Sequence, residues 1–154
     1  MAATTASDRP RANIPLAAGL PGVLGLVPFF AAAGLYVWGK PELAGPALLS
    51  LLTYSAVTLS FLGGLRWGHE MARPEPRVGV MLAACLPPLV GWLILATPLD
   101  ACWQLGGFIA AFVLQWLWDA GSADLPKWWS RLRTVLTLGA GLALATAMER
   151  ALSL

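Results

Sequence analysis

This chain has few of the residues that chemistry usually requires. One histidine and two cysteines stand among 154 residues, and only 12% of the side chains are charged. A soluble domain would carry roughly a quarter. With a single His69 and no accompanying cluster of serine, cysteine or carboxylate, hydrolysis and metal catalysis are not expected. No His/Cys/Asp/Glu spacing suits a metal ion, and Cys85 and Cys102 form no redox pair. On adjacent antiparallel helices the two thiols would lie more than about 10 Å apart along the axis. A disulfide needs Cα atoms within about 7 Å, so two free, buried thiols are expected. The net charge of +2 is too small to suggest nucleic acid. Neither a catalytic residue nor a cofactor can be assigned, and the chain reads as a non-enzyme.

What is abundant is apolar. Hydrophobic residues make up 58% of the chain and the mean hydropathy is +0.69. The apolar runs are too long and too unbroken to pack amphipathically against water. They predict an all-α integral membrane bundle: a flexible N-terminus over residues 1–13, then a single transmembrane domain over 14–154. Spans are expected at about 16–38, 47–67, 78–97, 99–118 and 132–150, each near the ~20 residues that cross ~30 Å of hydrocarbon. The fifth is the least secure. Its uncharged part, Thr134 to Met148, covers only about 22 Å as a helix, and without it four spans remain. The first span exceeds the usual h-region of a signal peptide and is read as retained, with Ala31-Ala-Ala33 as the alternative cleavage site.

The charges sort by side. With a cytoplasmic N-terminus, the inner segments hold Arg9, Arg11, Arg66, Arg73, Arg77, Lys127, Arg131 and Arg133, against only Lys40 and Arg150 outside. That asymmetry follows the positive-inside bias, and the Arg-rich face should attract anionic headgroups. The Ala/Arg-rich, Lys-poor usage points to a GC-rich bacterium and hence to its cytoplasmic (inner) membrane. Tryptophans agree. Trp38, Trp92 and Trp103 fall near outer span ends, while Trp67, Trp116, Trp118, Trp128 and Trp129 gather at the inner boundary, where indoles prefer to sit. Trp67, Trp128, Trp129, Arg131 and Arg133 are the candidate lipid-interface residues, with Pro126 opening a short interfacial helix.

Small residues mark the helix-packing faces, since lipid gives helices no hydrophobic reason to associate. Ala56, Ser60, Gly64 and Gly68 form one stripe in span two. Gly106/Ala110 and Gly107/Ala111 recur likewise in span four, and Gly139, Ala143 and Ala147 in span five. Intramolecular packing is favoured over an oligomer. Prolines interrupt spans one (Pro21, Pro28) and three (Pro87-Pro88), removing hydrogen bonds and, in the pair, pushing Leu86 and Pro87 away from helical dihedrals. A kinked scaffold helix is favoured over a broken helix at a substrate site.

The candidate functional polar residues are Tyr54, Thr58, Arg66, His69, Glu70, Gln115 and Asp119. Arg66 and Glu70 lie one turn apart, suited to an ion pair. His69, beside a carboxylate, suits a proton relay near neutrality. Asp119, with Asp124 just beyond, closes span four facing the inner arginines, and an acid there can pair with Arg66 or Arg73 and lock that end of the bundle. Structural anchoring is the favoured role for all of these.

Two blocks carry a resemblance: Tyr54-Ser-Ala-Val-Thr-Leu-Ser-Phe-Leu-Gly-Gly-Leu-Arg-Trp-Gly68, and Gln115 and Asp119 followed by Leu125-Pro-Lys-Trp-Trp-Ser-Arg-Leu-Arg133. Over about residues 14–150 the chain resembles domain-of-unknown-function family 3429, which includes bacterial relatives of the eukaryotic transmembrane protein 69. The resemblance implies a small multi-pass inner-membrane protein and brings no activity or catalytic residues. The expected role is therefore an accessory subunit, assembly factor or scaffold, with a membrane-protein partner or a homo-oligomer. The alternative is a small oligomeric transporter or channel using the Pro87-Pro88 break, lined by Tyr54, Thr58, Ser60 and Gln115. Ionisable groups only at span ends weigh against it. An enzyme acting on lipid headgroups ranks third.

Overall fold

The computed structural model describes residues 14–122, 125 and 127–153, and among them every regular element is an α-helix. In order these are α1 (Leu16–Leu24), α2 (Val27–Trp38), α3 (Pro41–Met71), α4 (Val78–Ala84), α5 (Leu86–Ala96), α6 (Ala101–Ala120) and α7 (Lys127–Leu152). They compose five helices long and apolar enough to cross a membrane: Leu16–Trp38, Pro41–Met71, Val78–Ala96, Ala101–Ala120 and Trp128–Leu152. The fifth span is secure in length. α7 has 26 residues, about 39 Å of helix, because it runs without a break through Arg133 and past Glu149. No separate interfacial helix precedes it among the described residues. The expectations for residues 1–13, Asp124, Pro126 and the Lys127 side chain lie outside what the structure describes.

Proline sets the two broken spans. Pro28 stands in the first turn of α2, where its missing N–H costs least, and the chain turns at Gly25-Leu26 just before it. The Tyr54 hydroxyl donates to the Gly25 carbonyl at 2.9 Å, supplying the partner that a carbonyl at such a turn needs in hydrocarbon. In span three the break falls at Cys85, not at Leu86 and Pro87, which both lie in the helical first turn of α5. A residue before proline disfavours the helix, but at a helix start the proline removes no bond that the helix would have made.

α3 is the central span. Its C-terminal half packs on the span-three break at Gly63, where an added Cβ would lie 2.5 Å from the Ala84 carbonyl oxygen and 2.9 Å from Pro88 Cδ. Two turns farther out in the same pair, Gly91 meets Ala56, whose Cα would be 3.2 Å from an added Cβ. On α7, Gly139 faces Leu26 at the span-one turn, and Ala143 and Ala147 below it are buried, as their spacing predicted. Gly107 likewise packs on Ile94. The core between spans is aromatic and aliphatic: Phe29 stacks edge-on against Tyr54 at 5.0 Å and Phe112 at 5.9 Å, above fully buried Leu51, Leu59, Leu105, Phe108 and Leu144.

The stripe on α3 needs correction. Only Ala56 of the four faces inward. Ser60, Gly64 and Gly68 are exposed, and a Cβ at either glycine would meet nothing within 4 Å. The close-packing glycine is Gly63, one position and hence 100° around the helix. Gly106 and Ala110 of α6 also face out. The thiols are free, as expected, but half-buried; Cys85 Sγ donates to the Met81 carbonyl at 3.5 Å.

Candidate functional site

The α3 C-terminus, the α6 C-terminus and the α7 N-terminus meet at one end of the bundle, and the ionisable residues converge there. Asp119 on the last turn of α6 is 2% exposed. Its Oδ2 accepts from Arg133 Nε of α7 at 2.8 Å, and its Oδ1 lies 3.4 Å from Arg66 Nε of α3. Arg66 and Arg133 are themselves buried, at 7% and 3% exposure. One carboxylate thus ties three spans together. The Arg66 guanidinium also donates to Ser122 Oγ and, at 3.5 Å, to the Trp118 carbonyl, and lies 4.5 Å from the centre of the Trp118 ring. Ser122 in turn donates to the Trp118 carbonyl at 2.8 Å.

Glu70, one turn beyond Arg66, is 1% exposed and anchors the segment that leaves α3. Its carboxylate accepts from the backbone N–H and Nε of Arg77 on Oε1 and from Arg77 Nη2 on Oε2, each at 2.8 Å. Arg73 Nε lies 3.7 Å from Oε1. The bidentate fork fixes the turn through Pro74 and Pro76 that delivers the chain to α4. The i,i+4 pair suggested for Arg66 and Glu70 is therefore replaced by two longer-range pairings. A partner of opposite charge from another segment with fitting geometry outcompetes the neighbour one turn away on the same helix, a pairing that contributes only ~0.5 kcal/mol.

Between these two clusters opens a polar cleft of about 430 Å³, lined by Arg66, His69, Glu70, Arg77, Trp118 and Ser122. His69 is exposed on its wall. Among the described residues at this end, Arg66, Arg73, Arg77, Arg131 and Arg133 outnumber Glu70, Glu75 and Asp119, a positive excess.

The other sequence candidates divide between separate places. Tyr54 and Thr58 line an apolar crevice beside α1 and α7, with the Thr58 hydroxyl donating to the Tyr54 carbonyl at 2.8 Å. Gln115, buried, lines a different cavity of about 400 Å³ with Pro87, Leu59 and Trp118. Ser60 lines neither and donates to the Ala56 carbonyl at 2.9 Å. The lining imagined for a single pathway is thus not gathered in one cavity. Of the interface residues, Arg131 is exposed, and Trp67 donates to Met71 Sδ at 2.9 Å on the surface. Trp128 and Trp129 pack edge to face at 5.9 Å. Arg133 departs from expectation: it turns inward to Asp119 rather than out to headgroups. Sequence reasoning also passed over Ser122 and the pairing of Arg77. The signal for Ser122 was its place one turn after Asp119; nothing local marked Arg77 as the partner of Glu70.

Among the described residues, no group of His, Cys, Asp and Glu is placed to hold a metal ion. What the site defines is a multi-pass helical membrane protein whose spans are clamped at one end by a buried Arg–Asp–Arg triad. The family model described as "Protein of unknown function (DUF3429)" matches residues 14–149, and the chain belongs to that family. It is 31% identical over 142 residues to Transmembrane protein 69 of Xenopus tropicalis, covering 82% of this chain and 51% of that protein. The chain therefore spans about half the length of the curated relative it matches. No solved structure matches it.

Proposed function

We propose that the protein is a non-catalytic accessory or scaffold subunit of a membrane complex, held in a bacterial cytoplasmic membrane with its Arg-rich end inside. One observation carries this reading: the open face of α3. Ser60, Gly64 and Gly68 recur every fourth residue on the outside of the bundle, with free space above both glycines. Exposed Val57, Phe61 and Met71 flank them. A small-residue groove between apolar ridges admits the close backbone approach by which membrane helices associate. Its occupant is a transmembrane helix of another protein. The buried acids and their partner arginines support the same reading, because they tie spans to one another and leave no base beside a nucleophile. The positive excess at the same end favours contact with anionic headgroups.

The test is extraction of the tagged protein from its native membrane in mild detergent, with lipids retained and the stoichiometry read by mass spectrometry. A partner membrane protein at fixed ratio supports the proposal; a lone chain, or the chain with only copies of itself, contradicts it.

One observation favours a transporter instead. Gln115 Nε2 is buried without a hydrogen-bond partner in the cavity beside Pro87, the arrangement expected where a polar solute passes a broken helix. Solute flux in proteoliposomes that Gln115→Leu abolishes would establish it.

A further inference from the structure

Three polar atoms on one stripe of α7 are buried without a hydrogen-bond partner: Trp129 Nε1, Arg133 Nη2 and Thr137 Oγ1. Their spacing of four residues places them above one another along the helix, over about 12 Å of depth. Buried donors are almost always satisfied, and a donor left unmade in hydrocarbon costs several kcal/mol. Three on one face therefore call for an acceptor.

That face borders two adjoining crevices. The first, about 260 Å³, lies among α1, α2, α3, α6 and α7 and is lined by Arg133 and Thr137. The second, about 290 Å³, is lined by Trp129 and Arg133. Pro21, Gly22, Phe61, Leu62 and Leu136 wall both, so the rest of the surface is apolar. Charge points the same way. Among the described residues, Asp119 is the single carboxylate between Arg66 and Arg133, so these three side chains together carry a net charge of +1 inside a membrane-spanning bundle. An ionisable group there is costly unless it is paired.

We infer that the α1–α3–α7 crevice is a binding site for a lipid-borne monoanion. Its carboxylate or phosphodiester accepts from Arg133 and Thr137, with Trp129 nearer the membrane surface, and its acyl chain lies along Phe61, Leu62 and Leu136. Bound there, the anion offsets the excess charge of the triad and satisfies the unmade donors of Arg133 and Thr137 at once. This site adjoins the α3 groove offered to a partner helix, with Val57 and Phe61 between the two, and it stands whether or not such a partner exists.

The test is titration of the purified full-length protein, freed of copurifying lipid, with oleate, dioleoylphosphatidylglycerol, methyl oleate or inorganic phosphate, read by native mass spectrometry. Saturable binding of oleate or of phosphatidylglycerol, but of neither methyl oleate nor free phosphate, is expected, and which of the two binds identifies the source of the anion. Thr137→Val, which removes one donor and keeps the shape, should weaken binding about tenfold. Leu136→Trp, which fills both crevices, should abolish it, with helical circular dichroism confirming that the variant folds. Equal binding of methyl oleate, preference for free phosphate, or binding that ignores both variants would overturn the inference.

Discussion

Arg133 of α7 and Asp119 of α6 form an ion pair at 2.8 Å in which both side chains are buried. Arg66 of α3 reaches the other oxygen of the same carboxylate. The pair bridges the six-residue connection between α6 and α7 and fixes three spans at the end where the positive charges lie.

Removing the shared acid should therefore be severe. Asp119→Asn leaves two buried guanidiniums without a counterion, and breaking a buried pair on one side costs about 3–5 kcal/mol. Thermal unfolding in detergent should drop sharply. A triple replacement of Arg66, Asp119 and Arg133 by apolar residues of similar volume should recover much of that loss, since buried ion pairs contribute little net stability against well-packed isosteres. A triple variant as unstable as Asp119→Asn would mean that the charges themselves, not their mutual compensation, hold the bundle.

Two neighbouring glycines should behave oppositely. Gly63→Ala places a methyl group 2.5 Å from the Ala84 carbonyl oxygen, so the span-three break must move, at a cost of about 1–3 kcal/mol by analogy with overpacked cores. Gly64→Ala meets open space and should leave the melting profile unchanged or slightly raised, as alanine is the better helix former. The two unfolding curves decide it; equal losses would contradict the assignment of faces.

The adjacency of these glycines shows what the sequence made legible and what it did not. Five spans were readable because hydrocarbon thickness fixes the length of an apolar run, and the convergence of Arg66 and Asp119 was readable because both close their spans on the same side. The rotation of each helix about its axis was not. Lipid-facing and core-facing positions of a membrane helix are equally apolar, so a small-residue stripe shows that some helix approaches without saying whose. Gly64 and Gly68 satisfied the stripe, while Gly63, outside it, makes the intramolecular contact. Arg133 was misplaced for the same reason. Its neighbours Lys127 and Arg131 suggested a surface, and only the position of Asp119 on another helix turned it inward.

Tyr54→Phe removes the hydroxyl that caps the Gly25 carbonyl at the span-one turn and keeps the ring on Phe29. Interhelical hydrogen bonds in membranes average about 0.6 kcal/mol and reach ~1.7, so a small but measurable loss of stability is expected. Unchanged stability would show that the turn finds another donor.

The charge asymmetry predicts orientation. A reporter fused after Leu154 should be active outside the cytoplasm and one fused at the N-terminus inside it. A cytoplasmic C-terminal signal would contradict a full crossing by α7.

The scaffold reading is tested most directly by comparing Gly64→Leu with Gly141→Leu. Both glycines face open space, but only Gly64 lies in the α3 groove. With both variants folded, Gly64→Leu should release the copurifying membrane partner while Gly141→Leu retains it at native stoichiometry. Partner retention in both, or its absence from the wild-type protein, would contradict the account.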